Sequence, residues 1–162
     1  PREQARRDPT RLLRAPRRRR SGKTGHMQVV AKDFEGTCHC GAVRYHVTRC
    51  EEGATACNCT VCRRYGALWA YDWEGEGIVV SGPTAVYLRG ERTLGFHFCA
   101  TCGCVAYWRS LTPEADGRRR IAVNLRLAEP AVVAAMPIDR FDGLESFTDQ
   151  PRDGRTVGHM WF

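Results

Sequence analysis

FHFCATCGCVAYW, residues 96–108, decides how the rest of the chain is read. Apolar residues alternate up to Cys99, a Cys-x-x-Cys-Gly turn follows, and alternation resumes from Val105. That is two strands joined by a knuckle whose sulfurs point the same way. A strand-to-strand turn carrying two thiols one turn apart suits a tetrahedral metal better than a disulfide, because both ligands converge without straining the backbone. A second half-knuckle, Cys38-His39-Cys40-Gly41, precedes the alternating residues 41–48. Together Cys38, Cys40, Cys99 and Cys102 form a candidate four-thiolate site, closed and therefore structural. Gly41 and Gly103, placed at the two bends, relieve the tight backbone there.

Working outward, residues 77–81 and 84–88 read as short strands parted by Gly82-Pro83, and residues 105–109 as the return strand. Ile121, Val123, Leu125 and Leu127 alternate as one further strand. The one clear helix is short, residues 130–136, with Pro130 suited to its first turn. Many short strands with glycine-rich turns predict a mainly β fold.

The chain holds nine cysteines. A third group, Cys57, Cys59 and Cys62, is Cys-x-Cys-x-x-Cys. Three protein thiolates leave a fourth zinc position for water or substrate, as in a catalytic site. Cys50, Cys104 or a histidine closing the shell would instead make a second structural site; spacing leaves both readings open. Arg63 and Arg64 would draw anionic groups and favour the thiolate form nearby. Cys50 and Cys104 are left as spare, Cys104 as a small residue behind the first site. His97 reads as a hydrogen-bonded structural histidine, with proton transfer the sharper alternative, and His39 as pointing to water. Trp69, Tyr71 and Trp73 alternate and could wall a substrate pocket, with packing expected of at least two. Asn124 would cap a turn or anchor a substrate, and Asp142-Gly143 is a turn.

Charge divides the chain. Residues 1–25 carry ten Arg or Lys against Glu3 and Asp8, more than the whole chain's +7, so the remainder is close to neutral. This basic arm, residues 1–27, is expected to be disordered. It reads as a solvated tail, a cloning remnant around Gly25-His26-Met27, or sequence upstream of a start at Met27. A zinc-binding domain follows over residues 28–150, then a C-terminal tail over 151–162. No stretch reaches the ~20 apolar residues of a membrane helix, and metal-ready thiols fit a reducing, cytoplasmic compartment. A near-neutral domain argues against nucleic acid as partner.

Four runs carry a resemblance in order: GTCHCGAVRYHV (residues 36–47), CNCTVCRRYGALWAY (57–71), FHFCATCGCVAYW (96–108) and AVNLRL (122–127). Over residues 33–145 the chain resembles the glutathione-dependent formaldehyde-activating enzyme and centromere protein V family, in particular its short bacterial members. The resemblance implies a zinc-bearing β-tent of two antiparallel sheets. It implies a structural zinc on Cys38, Cys40, Cys99 and Cys102, and a catalytic or labile zinc on Cys57, Cys59 and Cys62. The implied activity is that of a carbon–sulfur lyase, in which zinc assists attack of a thiolate, glutathione in the founding case, on an aldehyde carbon. One thiolate of the middle group would yield its place to the incoming sulfur. The alternative is a non-catalytic zinc-stabilised binding module, since some relatives associate with chromosomes or microtubules.

Overall fold

The computed structural model describes residues 33–161; the basic arm lies outside the described residues. The chain forms eleven strands among those residues. Three make a small antiparallel sheet in the order β1 (Phe34–Thr37), β2 (Arg44–Val47), β5 (Ile78–Ser81). Eight make the large sheet, in the order β11 (Thr148–Gln150), β10 (Ile138–Asp142), β3 (Ala54–Cys57), β4 (Leu68–Trp73), β9 (Arg120–Asn124), β8 (Val105–Ser110), β7 (Leu94–Cys99), β6 (Thr84–Arg89). The mainly β architecture in two sheets is as expected. One pair departs from the antiparallel rule: β10 runs parallel to β3, with Ile138 opposite Ala54 and Phe141 opposite Cys57.

Alternation assigns the faces. Leu68 and Ala70 of β4, with Ile121 and Val123 of β9, turn toward the small sheet and bury against Phe34, Tyr45, Val47 and Ile78. Each such side chain contributes roughly 1.5–3 kcal/mol by leaving water. Gly36 is required by this packing, because a Cβ there would overlap the Tyr45 ring. The intervening residues occupy the opposite face, where Trp69, Phe96, Val105 and Ala122 form a second core with Cys59 and Cys62. The large sheet is therefore sandwiched at its middle, with the small sheet on one side and the three-cysteine group on the other.

Helical structure is sparse. α1 (Cys62–Tyr65) ends at Gly66, whose φ of 61° supplies a left-handed cap. α2 (Pro130–Val133) starts with proline in its first turn, shorter than the expected 130–136. The strand expected through Leu127 stops at Asn124, and Leu125–Leu127 is a 3-10 turn. Asn124 ends it: its side chain accepts from Arg126 N (3.2 Å) and Leu68 N (3.4 Å) and donates to Val105 O (2.9 Å). Of the two roles open for this residue, the structure shows the cap. The segment set apart as a tail carries Val157, fully buried, in a 3-10 turn at Val157–Met160, with Met160 and Trp161 packed on the main core. Among the described residues, no helix is long and apolar enough to cross a membrane.

Candidate metal centres

The two knuckles are built alike. Gly41 N donates to Cys38 O (2.8 Å) and Gly103 N to Cys99 O (2.9 Å), and both glycines hold a positive φ, 76° and 75°. Each hairpin is closed by its first cysteine, whose N–H donates to Val43 O and Cys104 O, both at 2.9 Å. A register shift between His97 and Phe98 kinks β7 just before Cys99, a device that re-aims side chains beside a site. The result brings the sulfurs of Cys38, Cys40, Cys99 and Cys102 within 4.8 Å of one another. Cys40 Sγ lies 3.6 Å from Cys38 Sγ and 3.5 Å from Cys99 Sγ. Four sulfurs around a tetrahedral zinc at 2.3 Å stand about 3.8 Å apart, so these distances fit the metal.

Backbone amides add to the fit. Val43 N donates to Cys38 Sγ at 3.2 Å. The N–H groups of Cys104 and Cys40 pull the Cys102 thiol down to about 5. Those of Cys102 and Thr101 lower Cys99. Donors aimed at sulfur favour the thiolate, the form that binds metal. Cys104 stands beside this group, hydrogen-bonded to Cys102, without joining it. His39 points outward and is exposed.

The second group comes from one short stretch. β3 delivers Cys57 at its last residue, and α1 begins at Cys62, so a single turn between strand and helix carries all three sulfurs. They too lie within 4.8 Å of one another, and among the described residues no fourth Cys, His, Asp or Glu joins them. Cys59 N donates to Cys57 Sγ and Cys62 N to Cys59 Sγ, both at 3.4 Å. The buried Trp69 indole donates to Cys62 Sγ at 3.3 Å, satisfying an N–H that the core would otherwise orphan. Hydrogen bonds from the Cys57 and Cys62 thiols hold Cys59 far below an ordinary thiol, while the same contacts push Cys62 up. Three thiols this close resist ionising together, and a divalent cation among them would offset that repulsion. Cys59 and Cys62 are buried; Cys57 is half exposed.

The neighbouring residues fall out as follows. Trp69 is core; Tyr71 meets Trp108 edge-on at 5.6 Å; Trp73 lies under the guanidinium of Arg118 at 4.0 Å. All three pack. His97 is buried, stacks on Tyr107 at 4.3 Å and shares a hydrogen bond with Thr84 Oγ1 (2.9 Å). Burial, with Arg109 adding, pushes its pKa down to about 4, so the ring is neutral at pH 7. Arg63 and Arg64 are exposed on α1, directly after Cys62 in the chain, and the Arg64 guanidinium donates to Thr60 O. Cys50 joins neither group and lines a cavity of about 250 Å³ with Asp72 and Trp73. The loop after β10, a turn by its sequence, touches the second group: a Cβ on Gly143 would stand 2.7 Å from Cys57 Sγ. Nothing in its local sequence marks that contact, because the partner lies in the turn after β3, far back along the chain.

A two-sheet β protein with a closed four-sulfur group and an open three-sulfur group defines a class with two candidate metal sites. Residues 33–130 match the model of the glutathione-dependent formaldehyde-activating enzyme family, and the chain belongs to that family. A solved Rhodobacter sphaeroides protein is 29% identical; the alignment covers 64% of this chain and 98% of that one, with a TM-score of 0.49. No curated protein matches the chain.

Proposed function

We propose that this chain is an enzyme that makes and breaks a carbon–sulfur bond between a thiol and a small aldehyde. Glutathione and formaldehyde are the pair its family name specifies. The observation that carries the reading is the three-sulfur group with no fourth protein ligand among the described residues. The four-sulfur group, closed by its own cysteines, is assigned a structural zinc. Zinc in the open group supplies Lewis acidity, which favours a thiolate and polarises an aldehyde oxygen.

The chain's own residues do the rest. Trp69 fixes the Cys62 sulfur by its indole hydrogen bond. The second core beneath excludes water from the Cys59 and Cys62 side of the site. Arg63 and Arg64, exposed directly after Cys62 in the chain, match the carboxylates of a thiol such as glutathione. In the reaction the thiol loses its proton to solvent and its sulfur attacks the carbonyl carbon. The carbon–sulfur bond forms as the C=O π pair moves to oxygen, which takes a proton from water. The product is a hydroxymethyl thioether, and the reverse steps release the aldehyde.

Exchange spectroscopy on ¹³C-formaldehyde, glutathione and their adduct tests this directly. The protein is expected to accelerate exchange, with the gain abolished by a zinc chelator and by Cys59→Ser. Exchange no faster than in buffer would reject the enzyme and leave a zinc-stabilised binding module.

A further inference from the structure

The loop that follows β10 lies beyond the segment matched to the family, which ends at residue 130. It nevertheless reaches the three-sulfur group. Asn58, the residue between Cys57 and Cys59, is held there at three points. Its backbone N–H donates to Phe141 O (3.3 Å), its Nδ2 donates to Asp142 Oδ1 (2.9 Å), and its Oδ1 accepts from Leu144 N (3.0 Å). Asp142 is itself fixed. Its Oδ2 accepts from Ser146 N (2.9 Å) and Ser146 Oγ (2.7 Å), and its Oδ1 from Glu145 N (3.2 Å). Those donors, Ser146 N–H first and the Asn58 amide next, hold its carboxyl well below the usual carboxylate range. The clamp is therefore anionic and fully engaged at neutral pH.

Gly143 is the other half of the contact. It is buried, and its φ is not among the positive ones, so backbone conformation does not require glycine here. Space does. A Cβ would stand 2.7 Å from Cys57 Sγ and 3.0 Å from Cys59 Cβ. The bare backbone of Gly143 is a wall on which two of the three cysteines rest.

We propose that Asn58, Asp142 and Gly143 are positioning residues of the three-sulfur centre, the clamp setting the separation of Cys57 from Cys59 and the glycine seating the Cys57 sulfur. The inference rests on the reading of that group as a metal centre. Ligand sulfurs on a short turn have rotamer freedom to lose on binding, and outer partners that remove it beforehand raise metal affinity.

Metal titration of the full chain tests it without reference to turnover. Zinc-loaded protein is titrated with a competing chelator, and the metal withdrawn is replaced by cobalt(II) to read the thiolate charge-transfer band of each equivalent. The unaltered chain is expected to take up two equivalents. Gly143→Ala, Asp142→Ala and Asn58→Ala are expected to weaken the second by about 10- to 100-fold and to alter its band. The first equivalent should stay unchanged. Asp142→Asn, which keeps Oδ1 as acceptor, is expected to fall between Asp142→Ala and the parent. Should Gly143→Ala fail to fold, the clamp variants, which alter exposed or half-exposed side chains, carry the test. Second-equivalent affinities within twofold of the parent in the clamp variants would overturn the positioning role alone. Uptake of only one equivalent by the unaltered chain would overturn the centre itself.

Discussion

The four-sulfur group collects its cysteines from two hairpin knuckles about sixty residues apart, each stiffened by a left-handed glycine and a ladder closing at its first cysteine. The three-sulfur group takes all its cysteines from one turn between β3 and α1, and borrows rigidity from outside, through the Trp69 indole and the loop around Gly143. Long-range ligands make a metal a cross-link between strands, so its binding energy becomes folding energy. Local ligands make a metal a guest on a scaffold that stands without it. On the proposed function, the same residue type would serve stability in one place and chemistry in the other.

The sharpest way to break this contrast is to remove one sulfur from each group. Cys38→Ser is expected to forfeit most of a metal-binding energy of order 10 kcal/mol, giving a chain without a cooperative thermal transition in circular dichroism. Cys59→Ser is expected to keep its fold and one zinc equivalent by mass spectrometry under native conditions, and to lose activity. Equal unfolding of both variants would erase the distinction. Smaller in effect, Trp69→Phe keeps the ring in the core but withdraws the donor from Cys62. It should cost about tenfold in second-site zinc affinity, seen by chelator competition, with the first site untouched. Least of all, His39→Ala alters an exposed side chain between two cysteines of the closed group. Its melting temperature should match the parent within about 0.5 kcal/mol of stability, with zinc content unchanged; a lost equivalent would make His39 a ligand.

Cysteine spacing made both groups legible, and the alternation of Leu94, Phe96 and Phe98 placed the hairpin that carries half of the first. Gly41 and Gly103 were legible for the same reason: each bend is local. What escaped was whatever depends on a distant partner. β1 and β3, four residues each in Phe-Glu-Gly-Thr and Ala-Thr-Ala-Cys, hold too few apolar positions to show a period. The end of β9 is set by one asparagine bonded to two other strands, β4 and β8, as well as its own turn. Asp142-Gly143 looks like any turn until β10 docks beside β3 and lays it on Cys57.

That parallel pairing also bears on the order of assembly. The closed group needs the chain only as far as Cys102, and every strand of its hairpins has an antiparallel neighbour close in sequence. The wall of the open group waits on a segment 84 residues downstream of Asn58, and contacts of such separation form late because loop closure must precede them. During synthesis, then, the four-sulfur group has its full set of cysteines about forty residues before the second turn meets its support. The three-cysteine turn itself is made before Cys99 and Cys102, so what comes last is its support and not its sulfurs.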